Sequence, residues 1–415
     1  MTRKDFEIMA PVGSFESLMA AINAGANSVY FGLAKLNMRS RSSVNFTTED
    51  LAEIANRCKN NNVKSYLTIN VVTYDNEFVQ VKELVDAAKQ FEVSAIIASD
   101  MAVIQYANQV GVPVHMSTQV NISNTQALKF FSQFADVMVL ARELSMDQVM
   151  TIHRHIIDQN ITGPQGELVK IEMFCHGALC MSISGKCYLS LHEYNHSANR
   201  GACLQTCRRG YTVADKETGR EFDIDNEYIM SPKDLCTIHF VNKLMDSGVR
   251  VFKIEGRARP AEYVKTTVEC YNDAINSVLE NTYTDEKIQK WQKKLGTVFN
   301  RGFWDGYYLG QKLGEWSHVY GSKATEKKAY IGKVRNYFSK LNVAELLCEA
   351  GELKVGDKVI INGPTTGVVE TEVKELRYDL QPVEGVVQKQ VFSMPVPTMV
   401  RRSDKLYKII SIDEK

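Results

Sequence analysis

Six of the nine cysteines in this 415-residue chain fall within one stretch: Cys175, Cys180, Cys187, Cys203, Cys207 and Cys236. The other three, Cys58, Cys270 and Cys348, are scattered and read as buried thiols. The N-terminal MTRKDFEIMAPVGS lacks the apolar run of a signal peptide, so a cytoplasmic location is expected, and disulfides are disfavoured there. Metal or redox chemistry therefore gains weight. Cys175 with Cys180, and Cys203 with Cys207, have the C-x₂₋₄-C spacing of structural zinc knuckles. Zinc would leave Cys187 and Cys236 without a role. Six residues separate Cys180 from Cys187 and fifteen separate Cys187 from Cys203. Soft thiolates at such irregular spacing favour an iron–sulfur cluster, although spacing by itself leaves zinc open. A catalytic thiol fits less well, because a nucleophilic Cys needs one positioned His rather than five further cysteines.

Arginine is the second reactive set. Arg39, Arg142 and Arg257 each offer a planar fork that grips a carboxylate or phosphate through two hydrogen bonds. Two or three of them in one place suit a small anionic ligand. The alternative for Arg142 and Arg257 is a structural pair with Glu143 or Glu255.

Strands alternating with helices would bring these residues together. FEIMAPV (6–12), NSVYFG (27–32), KSYLTINV (64–71), SAIIASD (94–100), VPVHMSTQ (112–119), DVMVLAREL (136–144), VKIEMFCHG (169–177) and VRVFKIEG (249–256) read as strands with apolar middles. Between most of them lie helical patterns, such as SFESLMAAINAG with its Ser cap and Gly stop. SPKDLCTIHFVNKLMDSG also reads as a helix. Eight strand–helix units predict a TIM-like (β/α)8 barrel of the α/β class. A doubly wound nucleotide-binding sheet is disfavoured, since neither G-x-G-x-x-G nor a P-loop is present. The barrel should occupy residues 1–280, with a cysteine-rich insertion at about 176–230 and a connecting segment over 281–325. From 326 to 415 the pattern turns to short strands without helical period, as in LKVGDKVIING, which predicts a small C-terminal all-β barrel.

Reacting groups of such a barrel sit at the C-terminal ends of its strands. The ends carry Asn70, Gln119, Arg142, His176 and Arg257, which are the candidate catalytic residues. They should line one anion-binding cavity on the face that carries the cysteines.

The formal net charge is zero, so no global field attracts a polyanion and any nucleic-acid surface must be local. Arg200, Arg208 and Arg209, Lys327 and Lys328, and Arg401 and Arg402 are the candidate basic groups. No stretch approaches the roughly 18 apolar residues of a membrane span, so no membrane partner is expected.

EMFCHGALCMSISGKCYLS (172–190) resembles the signature of the collagenase-like (U-thirty-two) peptidase family. APVGSFESLMAAINAGANSVYFGL, NRGACLQTCRRGY, SPKDL, FKIEGRARPAEYV and NRGFWDGYYLG are similar to it too, so the resemblance covers essentially the whole chain. The family name implies proteolysis. Its better-understood members imply oxygen-independent hydroxylation with a 4Fe–4S cluster on four cysteines, acting on tRNA wobble uridine, on ribosomal cytidine or on a quinone precursor. The RNA-modifying members imply prephenate as co-substrate. Length and the C-terminal barrel look most like the tRNA uridine 5-hydroxylation branch. The family's four-cysteine pattern falls on Cys180, Cys187, Cys203 and Cys236, with Cys207 able to replace Cys203 or Cys236. Cys175 departs from relatives with an aliphatic residue there. The peptidase alternative lacks support in the residues, which show no Ser-His-Asp order and no H-E-x-x-H helix. A non-catalytic RNA-binding protein would leave the polar ring and the cysteines unexplained.

Overall fold

The computed structural model describes residues 1–41, 45–222, 230–310, 314–319 and 321–412. Parts of the expected insertion (223–229), connecting segment (311–313 and 320) and C-terminal barrel (413–415) lie outside the described residues.

All eight expected strands form. They are β1 (Glu7–Pro11), β2 (Ser28–Phe31), β3 (Lys64–Ile69), β4 (Ala95–Ala98), β5 (Val114–Met116), β6 (Val137–Val139), β7 (Lys170–Gly177) and, after the insertion, β11 (Val249–Ile254). Each pairs in parallel with the next, and β11 pairs with both β1 and β7, which closes the barrel. The intervening helices start where capping residues allow. Ser14 accepts the Ser17 amide at the start of α1 (Phe15–Asn23), and Asp100 accepts the Ala102 amide ahead of helix Met101–Val110. Apolar helix faces and outward strand residues merge into one core, from Phe6 to Tyr308.

The insertion departs from the helical reading of SPKDLC. Two-residue strands β8 (Val213–Ala214) and β9 (Glu221–Phe222) pair with each other. Asp234–Cys236 is then a strand, β10, antiparallel to the end of β7 and joined on its other side by β12 (Phe303–Trp304). Only Val241–Asp246 of that segment is helical. The long β7 leaves its last two residues free to pair, and β10 takes the ladder that helix formation would have used internally.

From Glu326 to Ser411 the chain is all-β, an eight-stranded antiparallel sheet plus a two-stranded one around a separate apolar core. It packs on α1 and on the helix Ala261–Leu279. Lys328 Nζ lies 2.8 Å from Glu262, and Lys265 lies 3.2 Å from Glu370.

The barrel interior corrects the expectation of apolar strand middles. Glu172 is fully buried there, its Oε1 2.6 Å from Lys253 Nζ and its Oε2 3.6 Å from His115 Nδ1. Val251 and Lys253 share the inward face of β11 because side chains alternate along a strand. Burial alone would push the Glu172 carboxyl up, but Lys253 and His115 outweigh it and hold it below the usual range. Lys253→Met should therefore strand a buried carboxylate and lower stability by about 3–5 kcal/mol in denaturant unfolding at neutral pH. A carboxyl held low contributes stability above its unfolded pKa of roughly 4.3, and that stability is lost as pH falls through the lowered folded value. The gap between wild type and variant should accordingly narrow on acidification.

Candidate functional site

Closure brings every strand's C-terminal end to one mouth, where the loops enclose a cavity of about 260 Å³. Lys253 forms its floor, its ammonium 4.8 Å from the Tyr30 ring centroid and 5.5 Å from that of Phe174. Arg142 follows β6 and lies flat over Phe174 at 3.7 Å, donating from Nη1 to the Ala178 carbonyl at 3.1 Å. Its buried Nε has no hydrogen-bond partner among the described residues. Arg257 follows β11 and donates from Nη1 to Asn37 Oδ1 and Thr68 Oγ1, both at 3.0 Å. A Cβ at Gly32 would stand 2.5 Å from that Nη1, so glycine there makes room for the guanidinium. Arg39, on the loop after β2, lies 2.9 Å from Glu255 Oε1, and Tyr30 donates to Glu255 Oε2 at 3.1 Å. Burial would raise the Glu255 carboxyl, yet Arg39, Arg142 and Arg257 hold it down at about 2. It is ionised at neutral pH.

Asn70 and Gln119 supply an uncharged row beside these cations. Asn70 Nδ2 donates to Ser117 Oγ at 3.3 Å and to Gln119 Oε1 at 3.5 Å, and the Ser117 hydroxyl also donates to Gln119 Oε1. Four of the five candidate catalytic residues thus line this cavity. His176 does not. A bulge in β7 pairs Lys253 with Phe174 but Ile254 with His176, which turns the imidazole to the outer side of the barrel. There it packs among Tyr263, Tyr271 and Phe303, and burial drives its pKa down to about 3, so it is neutral.

Cys180, Cys187, Cys203 and Cys207 line one wall of the cavity. The Cys207 thiol, pushed up to about 11 by burial and eased by Arg208, feels all three of the others. Cys236 stands elsewhere. It lies opposite His176 on β10, buried against Tyr271 and near Cys175, with its thiol pushed up to about 12 by burial. Among the described residues no three His, Cys, Asp or Glu side chains stand close enough to hold a metal ion in their present rotamers.

The insertion is fastened to the barrel by specific contacts. Arg200 forms an ion pair with Glu77 and donates to the Val72 carbonyl at 2.8 Å. A Cβ at Gly201, which has φ +81°, would meet the Asn37 carbonyl oxygen at 2.3 Å, so glycine lets the insertion close on the loop that carries Arg39. Arg208 is a structural brace, donating to the carbonyls of Leu179 and Pro232 and to Ser231. Of the other basic candidates, Lys328 is paired with Glu262, and Arg401 donates to Met399.

Three charged cavity residues escaped the sequence reading: Lys253, Arg259 and Arg301. Arg259 stacks on Phe299 at 3.5 Å, and Arg301 lies 3.5 Å from buried Asp234. The available signal was Lys253 on the same face as Val251 in the strand VRVFKI, and the charge density of EGRARP. In total six arginines and one lysine line the cavity against one carboxylate, Glu255.

A second, larger cavity of about 520 Å³ lies between the barrel and the C-terminal region. It is charge-balanced, with Lys294, Lys327, Lys328 and Lys358 facing Glu262, Glu326, Glu370 and Glu372. Among the described residues no helix is long and apolar enough to cross a membrane.

The chain is 63% identical over 414 residues to a collagenase of Porphyromonas gingivalis, covering 100% of both. It is 30% identical over 406 residues to tRNA hydroxylation protein P1 of Bacillus subtilis, covering 93% of each. With the 23S rRNA 5-hydroxycytidine synthase of Escherichia coli it shares 33% identity over 275 residues, which is 66% of this chain and 40% of that protein. The model of peptidase family U32 matches residues 13–318, which hold seven of the eight barrel strands, the cysteine wall and the arginine-lined mouth, and the chain belongs to that family.

Proposed function

We propose that this protein is an oxygen-independent RNA hydroxylase that forms 5-hydroxyuridine at the wobble position of tRNA, using a 4Fe–4S cluster and prephenate. One observation carries the reading: four cysteines and seven cationic side chains share a single cavity at the barrel mouth. Relatives named for tRNA and rRNA hydroxylation support it. Four thiol donors on one wall match the donor set of such a cluster. Cys180, Cys187 and Cys203 stand on irregular loops and Cys207 on the short 3-10 turn Thr206–Arg208. Cys180, Cys187, Cys203 and Cys207 would be the ligands, with Cys207 in place of Cys236. A cluster held there on four thiolates would supply one-electron redox chemistry.

The chain's own residues supply binding and orientation. Arg142 and Arg257 are fixed by stacking and by hydrogen bonds, so a carboxylate meets preformed forks. Prephenate, a dicarboxylate, fits a site with two of them. Glu255 restrains Arg39. Asn70 and Gln119 offer amide groups for the uncharged edge of a base or hydroxyl.

The peptidase reading is favoured by the collagenase name of the relative at 63% identity. Against it, no histidine lines this cavity among the described residues, and Glu255 is too acidic for a general base at neutral pH.

Three outcomes test the proposal. Anaerobic loading with iron and sulfide should give the absorption and spin-resonance spectra of a 4Fe–4S cluster. Those spectra should be lost in Ser variants of Cys180, Cys187, Cys203 or Cys207 and kept in Cys236→Ser; the reverse behaviour of Cys207 and Cys236 would restore Cys236 as a ligand. Arg257→Lys keeps charge but loses the fork, and should weaken prephenate binding about tenfold in a calorimetric titration; unchanged affinity removes Arg257 from the site. Deleting the gene should abolish wobble 5-hydroxyuridine in bulk tRNA, as read by mass spectrometry of nucleosides. Gelatin cleavage by cluster-free protein, abolished by one substitution at the cavity, would establish the peptidase instead.

A further inference from the structure

Lys253 is the one primary amine among the described residues that line the mouth cavity. It stands on the inward face of β11, and Glu255 and Arg257 continue that face beyond the strand's end, so all three enter the same cavity. Each of two arginines shares an aromatic ring with it. Phe174 carries Arg142 at 3.7 Å and the Lys253 ammonium at 5.5 Å, and Tyr30 carries that ammonium at 4.8 Å and Arg257 at 5.8 Å. The amine is thus flanked by two guanidinium forks, and the Nε of Arg142 is buried without a partner among the described residues. On its inner side, Lys253 Nζ lies 2.6 Å from Glu172 Oε1, which is wholly buried.

That combination selects a ligand. Guanidinium forks hold a carboxylate, and a buried amine beside them is a nucleophile toward a carbonyl carbon. A carboxylate and a carbonyl on adjacent carbons make a 2-oxo acid. A plain carboxylic acid would use the arginines and leave the amine idle, and a plain ketone would find no use for the forks. The interdomain cavity has lysines too, but no arginine lines it.

We infer that Lys253 captures a 2-oxo acid covalently, as an iminium at the cavity floor. Glu172 takes one proton from the ammonium across the 2.6 Å contact, which leaves a neutral buried pair. The freed nitrogen bonds to the carbonyl carbon. The carbonyl oxygen then leaves as water, carrying two of the ammonium's protons, one of them by way of Glu172, while the third stays on nitrogen. Lysine nitrogen is positively charged before and after. Glu172 and the two rings that stabilise the ammonium therefore stabilise the iminium as well. The inference rests on the reading of this cavity as a prephenate site, since prephenate carries a 2-oxo acid, and it adds a catalytic residue to that site.

Incubating the full chain with pyruvate and cyanoborohydride, followed by peptide mass spectrometry, tests it. Reduction turns the iminium into a stable secondary amine, so the peptide holding Lys253 should gain a carboxyethyl group. Lys64 is also paired with a glutamate but is half exposed, and it reports background alkylation. Lys253 should be labelled at least about tenfold faster than Lys64, because the bound acid is held beside it. Methyl pyruvate, which lacks the carboxylate, should label Lys253 about tenfold more slowly than pyruvate. An unlabelled Lys253, or one labelled no faster than Lys64, overturns the inference and leaves a structural ion pair. Equal labelling by pyruvate and its methyl ester overturns it too. Labelling is read on the unaltered chain without RNA or cluster, so it depends on no variant folding and fails separately from the hydroxylase reading. Adduct formation without wobble-uridine hydroxylation would sink the hydroxylase alone. Hydroxylation that persists in Lys253→Arg, which keeps the charge opposite Glu172 but removes the amine, would sink the iminium alone.

Discussion

Closure of the parallel barrel by β11 is the constraint on which the site depends. β11 hydrogen-bonds to β1 on one side and β7 on the other, so the eight strand ends share one rim. Glu255 and Arg257 leave its C-terminal end and meet Arg39 from the loop after β2, Thr68 from β3 and Arg142 from beyond β6. These positions are far apart in the chain. Only a closed ring of parallel strands converts that separation into contact, because parallel pairing aligns all the C-terminal ends.

Confining seven cations around one carboxylate is electrostatically costly. Two like charges 4 Å apart repel by about 4 kcal/mol at an effective dielectric of 20. The fold offsets part of this from behind the cavity wall. Glu172 neutralises Lys253, and buried Asp234 faces Arg301, Arg259 and Arg208. Burial pushes the Asp234 carboxyl up while those three arginines pull it down. The Asp-Leu-Cys strand therefore has a double duty: its Asp braces the arginine wall and its Cys packs in the core. The remaining positive charge faces the cavity, where an anion would relieve it.

The insertion is held to this mouth by contacts that its composition did not announce. The Arg200–Glu77 pair and the close approach at Gly201 tie it to the loops after β3 and β2. Phe299 lies between the two cavities, stacked by Arg259 on one side and lining the interdomain space on the other. Loops fastened in this way carry their cysteines as part of the barrel rim.

The amino-acid sequence alone determined the eight strands, their order and the all-β C-terminal region, because short apolar runs bounded by turn and capping residues are local signals. It also located the polar ring, since the end of a strand is visible in its own residues. Tertiary structure decided three things that local pattern cannot carry. The bulge opposite Ile254 turned His176 away from the cavity, and a bulge arises from the partner strand's register. Pairing of Asp234–Cys236 with the free end of β7 replaced a helix and sent Cys236 to the core, while Cys207 took a place on the wall. Lys253 and Glu172 entered the barrel interior as charged residues, because each found its counter-charge on a strand some eighty residues away.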